Sequence, residues 1–292
     1  MNLKDELFEQ KQVSVDVLRL DEIHPVVSGN KLFKLHYFLE EALSSHHKTI
    51  LSYGGAWSNH LLATAYAGKT AGLRTIGVVR GERPPSLSHT LQQCMEYDMQ
   101  LKFISREAYG AREDPSFRIS LQNEFGAFLN IPEGGYHPLG ARGAAKIMDL
   151  VTGETPSHIC TAMGTATTLA GLLMAAKGQQ KIIGVNVLKG DPDTAERIGY
   201  LLPGYANMNN LELLTEYHFG GYAKKNDSLV GFMNQCWKDF ALPLDFIYTG
   251  KMLYAVFEEI KKGRFPAGSR VLCLHTGGLQ GNKSLPAGSL LY

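Results

Sequence analysis

The chain has 292 residues, 44% hydrophobic and 20% charged, with 31 glycines, enough for a full apolar core and two lobes. A formal net charge of +1 leaves no electrostatic footprint for nucleic acid or an anionic membrane. The cysteines, Cys94, Cys160, Cys236 and Cys273, are too scattered for a disulfide framework or a zinc site, and no apolar run approaches the ~18 residues of a membrane span.

The segment Met1 to Glu6 is charged and lacks the apolar core of a signal peptide, so a reducing cytoplasm is the expected location. The first strong signal is Ser28-Gly29-Asn30-Lys31-Leu32-Phe33-Lys34-Leu35. Leu32, Leu35, Phe38, Leu39 and Leu43 recur at helical spacing and predict a helix over 31–46. Lys31 then falls in its first turn, after a glycine-containing loop. Such a lysine is either a solvated surface group or an amine held where it attacks a carbonyl.

A strand over 49–53 runs into Gly54-Gly55-Ala56-Trp57-Ser58-Asn59 and a helix over 58–71. A strand, glycine turn and helix present N–H groups at a helix start, which suits an anion, although every α/β protein has such turns. Next come a strand at 75–80, a loop at 81–90, a helix at 87–97, a strand at 100–104 and a loop at 105–115. A helix at 116–125 and a strand at 127–131 lead to Glu133-Gly134-Gly135. Those glycines either supply positive φ in a turn or belong to a site. A helix over 139–151 follows.

After a strand at 158–162, the loop Met163-Gly164-Thr165-Ala166-Thr167-Thr168 opens a helix over 166–178. A glycine and several hydroxyls at a helix start make a good phosphate cradle. Threonine capping of the helix is the alternative. The loop is neither a Walker loop nor a GxGxxG turn. A strand at 181–187 and helices at 192–201, 227–239 and 250–262 complete the set, with a last strand at 270–274. Tyr248-Thr249-Gly250-Lys251 opens the last helix, and His275-Thr276-Gly277-Gly278 closes the last strand. Cations at 261–264 suit a helix C-terminus next to glycine.

This alternation argues an α/β protein with a mainly parallel sheet flanked by helices and ligands beyond the strand C-terminal ends. The glycine loops at 54–55, 134–135, 164 and 277–278 each follow a strand and are expected at one rim of a sheet. No HExxH or other close ligand set supports a metal, and no GxSxG elbow supports a serine hydrolase. His46, His47 and His60 are expected at the surface or in loops.

Taken in order over roughly 18–283, these motifs resemble the PLP-dependent 1-aminocyclopropane-1-carboxylate deaminase and D-cysteine desulfhydrase family, of the tryptophan synthase β-like fold type II. The resemblance implies two lobes, a larger one of 1–35 and 131–292 and a smaller inserted one of 36–130. A homodimer is suggested by the resemblance alone. It implies pyridoxal 5'-phosphate (PLP) held by Lys31, whose freed amine removes the α-proton. It places Asn59 on the cofactor phenolic oxygen and Ser58 on the substrate carboxylate. Gly164, Thr165, Ala166, Thr167 and Thr168 take the phosphate, Thr276 lies near the pyridine nitrogen, and Tyr248 assists protonation or the leaving group.

The family usually has arginine where this chain has Phe33, and the deaminases have glutamine where it has Trp57. The deaminases also carry an acidic residue at Thr249 and lack the threonine at Thr276. The last two differences favour β-elimination from a small amino acid, D-cysteine desulfhydrase-like, giving a 2-oxo acid and ammonia. Ring opening of the cyclopropane acid, and PLP binding without turnover, are the alternatives.

Overall fold

A computed structural model describes residues 1–292. Its strands form two sheets. The larger contains β1 (Asn2–Leu3), β2 (Ser14–Arg19), β7 (His158–Met163), β8 (Lys181–Asn186), β9 (Leu211–Leu214) and β10 (Arg270–His275), in the order β1-β2-β10-β7-β8-β9. Only β1 is antiparallel. The smaller contains β3 (Thr49–Gly54), β4 (Arg74–Arg80), β5 (Gln100–Ile104) and β6 (Leu129–Ile131), all parallel, in the order β5-β4-β3-β6. Every residue of β3 is buried, as a central parallel strand covered on both faces requires.

Three helices bring the sheets together. The apolar periodicity at 32–43 forms α2 (Asn30–Ser44), which packs on α7 (Pro138–Ala145), and α7 packs on α8 (Thr167–Ala175). A β-carbon on Gly143 of α7 would lie 2.0 Å from the Phe33 carbonyl oxygen of α2. One on Gly171 of α8 would lie 2.5 Å from the Ala141 carbonyl oxygen. Glycine at both contacts lets the backbones touch, which draws the start of α2 towards the start of α8.

The other helices are α1 (Glu6–Gln10), α3 (Asn59–Thr70), α4 (His89–Glu96), α5 (Arg106–Gly110), α6 (Pro115–Phe125), α9 (Thr194–Leu201), α10 (Asp227–Phe240) and α11 (Thr249–Lys261). None is long and apolar enough to cross a membrane.

Several expectations need correction. The segment 105–115 is not all loop: Ser105 Oγ accepts from Ala108 N at 3.1 Å and caps α5. The helix expected over 139–151 ends at Ala145 and gives way to a 3-10 turn, Lys146–Leu150. β1, β2, β9 and α1 were not expected. The glycine loops do not share one rim. Those at 54–55 and 134–135 leave the smaller sheet, and those at 164 and 277–278 leave the larger. The two rims face each other: a β-carbon on Gly134 would lie 3.0 Å from Thr165 Cγ2.

Candidate active site

The lysine turn is fastened to the end of β10. Gly29 has φ +68°, and a β-carbon there would lie 2.0 Å from the Thr276 carbonyl oxygen. That carbonyl accepts from Asn30 N at 3.2 Å. The Asn30 side chain then joins two motifs. Its Nδ2 donates to Thr168 Oγ1 at 2.8 Å, and its Oδ1 accepts from Lys31 Nζ at 2.6 Å. Lys31 is thus no solvated surface group. Burial pulls its amine down to about 8, against an opposing pull from the Asp245 charge.

One helical turn on, Lys34 is buried and donates to the Gly134 carbonyl at 3.2 Å. Burial, then the charge of Lys31, holds its amine well below the ordinary lysine range. Lys34 was missed as a site residue, although its i+3 spacing from Lys31 is the signal that places both on one face.

Lys31, Asn59, Gly164, Thr165, Ala166, Thr167, Thr168, Tyr248 and Thr276 line a single cavity, as do Lys34 and Gly134. Ser58 sits just outside: its Oγ accepts from Leu61 N at 3.1 Å and caps α3. A wider polar groove, with Arg112, Glu133 and Tyr200 among its walls, opens beside the cavity and shares Thr165 with it. It holds neither lysine nor glycine loop, and the smaller cavity is the candidate active site.

The residues present fit a phosphorylated cofactor. α8 begins without any side-chain cap, because its N-cap is Ala166 at φ +62°. The capping alternative for the threonines is therefore set aside. Thr165 and Thr167 hydroxyls lie 2.9 Å apart and bond each other instead. A left-handed alanine costs about 1 kcal/mol and turns successive N–H groups into one concavity, the geometry of an anion nest. Asn59 Oδ1 is buried with no partner. A buried orphan in a cavity wall is open to a donor from a ligand or a water.

Tyr248 is set by Asp245. The Asp245 carboxylate accepts from Ile247 N at 3.0 Å, Tyr248 N at 2.8 Å and Thr249 N at 2.8 Å, and from Thr249 Oγ1 at 2.6 Å. This satisfies the start of α11. Thr249 is fully buried against Asp245 and does not line the cavity. Burial, then Tyr222, pushes the Tyr248 phenol well above its ordinary value, so it stays protonated. The two rings meet edge-on at 6.1 Å and 70°. Lys251, buried, donates to the His218 and Gly221 carbonyls at 2.9 and 2.8 Å and so anchors the loop that carries Tyr222.

His60 corrects another expectation. It is 3% exposed, and both ring nitrogens lack a hydrogen-bond partner. Its Cε1 would lie 3.7 Å from a β-carbon on Gly135, beside the Lys34 side chain. Burial, then the Lys31 and Lys34 charges, pulls it down to about 3, so the ring is neutral. His275 is buried between Asp21 Oδ1, at 2.8 Å, and the Pro243 carbonyl, at 2.8 Å. Burial raises Asp21, but bonds from His275 and Arg19 outweigh it and bring the carboxyl to about 2.

Fold and cavity together define a fold type II PLP-dependent enzyme. The chain belongs to the pyridoxal-phosphate dependent enzyme family, whose model matches residues 6–277. It is 28% identical over 281 residues to the bifunctional D-cysteine desulfhydrase/1-aminocyclopropane-1-carboxylate deaminase, mitochondrial, of Arabidopsis thaliana, covering 87% of this chain and 70% of that one. It is 26% identical over 282 residues to the 1-aminocyclopropane-1-carboxylate deaminase of Ralstonia pickettii, covering 86% and 82%. A crystal structure of an ACC deaminase homologue superposes with a TM-score of 0.84 at 25% identity, covering 97% of this chain and 89% of that one.

Proposed function

We propose that this chain deaminates a small β-substituted amino acid by α-proton removal and β-elimination, in the manner of a D-cysteine desulfhydrase. The observation that carries the reading is the meeting of the Lys31 amine, the uncapped 164–168 loop and the orphan Asn59 carbonyl in one cavity. Bound PLP supplies a carbonyl for an amine and a ring that accepts the electron pair left on Cα.

Lys31 would hold the cofactor and, freed when substrate binds, would take the Cα proton. An amine near 8 is neutral in a usable fraction at neutral pH, as a general base requires. The Asn30 carbonyl gives that amine a fixed resting place. The N–H groups of 164–168 take the phosphate, and the Asn59 amide faces the phenolic oxygen. Ser58 spends a lone pair on its helix cap, which leaves its hydroxyl hydrogen for the substrate carboxylate. Tyr248 acts as a proton donor, to the leaving group or to carbon. Thr276 faces the ring nitrogen with a neutral hydroxyl, which favours elimination over long-lived carbanions. Asp245 does not replace it, since donors from the start of α11 already occupy its carboxylate.

The division into 1–35 with 131–292 and an inserted 36–130 is supported by the smaller sheet falling within Thr49–Ile131. A homodimer in the cytoplasm completes the reading.

The names of the relatives favour a second reaction, ring opening of the cyclopropane acid. The test is kcat/KM for D-cysteine, β-chloro-D-alanine, D-serine and the cyclopropane acid on one preparation, followed by ammonia release. The expected order places a β-substituted amino acid first. A cyclopropane acid ranked first overturns the reading, and ammonia from none of them leaves a PLP-binding protein without turnover.

A further inference from the structure

The wider groove beside the Lys31 cavity takes no part in the reaction above. It has a volume of about 850 Å³ and borders the cavity where Thr165 meets the Gly134 backbone. Tyr248 stands at the same border, since a β-carbon on Gly164, the residue before Thr165, would lie 3.3 Å from its Cε1. The proton donor assigned to the leaving group is therefore at the groove end of the cavity. The groove carries charge of both signs, Arg112, Arg118 and Arg197 with Glu113, Glu133 and Glu196. Arg112 is held from behind: its Nη1 donates to the Tyr109 carbonyl at 3.2 Å, and its Cζ stands 5.0 Å from the Tyr109 ring centroid. Its contacts with Glu113 and Glu133, at 3.6 and 3.4 Å, are too long for charge-assisted hydrogen bonds. Guanidinium and carboxylate are thus set side by side without closing on each other. Tyr136 and Tyr200, with ring centroids 5.2 Å apart, add an apolar face to the same groove.

We propose that this groove receives the leaving group, and that the preferred substrate is an S-conjugate of cysteine whose leaving thiol bears its own ammonium and carboxylate, a second amino acid joined through sulfur. The proposal rests on the β-elimination reading. The carboxylate of the leaving group meets the Arg112 guanidinium, whose planar fork matches two oxygens. Its ammonium meets Glu133, and its methylenes lie along the tyrosines. A leaving group with one charge engages one member of the Arg112–Glu133 pair and sets its like charge beside the other, so a zwitterion is preferred to either half. Cysteine itself, which releases only sulfide, leaves the groove unused. The step balances without a redox partner. The Cα–H and Cβ–S bonds break, sulfur leaves with the bonding pair and takes a proton, and one water converts the remaining three-carbon imine to a 2-oxo acid and ammonia.

The test uses the holoenzyme and a series of S-substituted cysteines in both configurations, followed by release of the 2-oxo acid. S-ethylcysteine is neutral in its leaving group, S-(2-carboxyethyl)cysteine anionic, S-(2-aminoethyl)cysteine cationic, and lanthionine zwitterionic. Wild type is expected to favour lanthionine over S-ethylcysteine by about tenfold or more in kcat/KM, with the singly charged compounds below lanthionine. Arg112→Gln should lower kcat/KM about tenfold, through KM, for lanthionine and the carboxyethyl compound and spare S-ethylcysteine, with partial recovery in Arg112→Lys. Glu133→Gln should do the same for lanthionine and the aminoethyl compound. Lanthionine no better than S-ethylcysteine overturns the proposal, and so does an advantage that survives in both variants. A singly charged compound ranked above lanthionine overturns it too, as does an equal loss across the whole series in both variants, which would make the pair merely structural. If cysteine and β-chloroalanine are consumed and lanthionine has no advantage, this proposal falls and the elimination reading stands. If no compound is consumed, both fall.

Discussion

Lys31 and His60 owe their properties to the same dry surroundings, and each gives a pH dependence of its own. The Lys31 amine at about 8 sets the rate at which apoprotein captures PLP, because only the neutral amine attacks a carbonyl. Stopped-flow absorbance should show capture speeding up to about pH 8 and then levelling off. An ordinary lysine would carry the rise to about pH 10. His60 acts on stability. Its folded value lies at about 3, whereas the unfolded ring titrates at the ordinary histidine value of 6.5. Between those values the unfolded state binds the extra proton, so stability falls as pH is lowered through the window. Going from pH 6.5 to 5 should cost the apoprotein about 2 kcal/mol through this residue. Denaturant unfolding at the two pH values checks this, and His60→Gln should remove that part of the loss. An equal pH dependence in the variant would show that His60 is not the source.

Single glycines decide how the elements meet. Gly29→Ala forces a β-carbon onto the Thr276 carbonyl and moves either α2 or β10. It should destabilise the protein by about 3 kcal/mol or more and weaken PLP binding about tenfold or more. Gly72 has a similar φ, +70°, with nothing near its missing β-carbon. Gly72→Ala should cost only about 1 kcal/mol and leave PLP affinity alone. Thermal melts and PLP titration of the pair distinguish close approach from φ strain. In the same way Gly164→Val, whose first new carbon meets Tyr248 Cε1 at 3.3 Å, should weaken PLP binding more than Thr167→Ala. Equal dissociation constants for wild type and Gly164→Val would refute the cradle.

These contacts also show what a linear sequence reveals. The helices at 31–46 and 227–239 were legible because long apolar periods dominate them. The signal for β2 is the alternation of Val13, Val15 and Val17, all buried. β9 is four residues at a sheet edge, too short to carry a period. The surroundings of Thr249 were not legible, because the pattern shows a residue's neighbours along the chain, while its partner is a capping aspartate four residues back.

At the scale of the molecule, the active cavity is a seam between two sheets. Each glycine loop was visible as strand, turn and helix, but nothing local tells which sheet a strand joins, and so one rim was expected where there are two. The seam is closed by α2, whose start carries both lysines, and by contacts between elements that flank the two sheets. One such contact is Lys283 Nζ, at 3.2 Å from His89 Nε2 of α4. His60, expected at the surface or in a loop, is buried beside Lys34 and the 134–135 loop.

Three buried or enclosed lysines, Lys31, Lys34 and Lys251, have depressed amines, and only one of them is assigned the cofactor. Borohydride reduction of the holoenzyme, followed by peptide mapping, reads that assignment directly. The account predicts a pyridoxyl group on Lys31 alone and none in Lys31→Ala. A label on Lys34 or Lys251, or no label on a protein saturated with PLP, would contradict it.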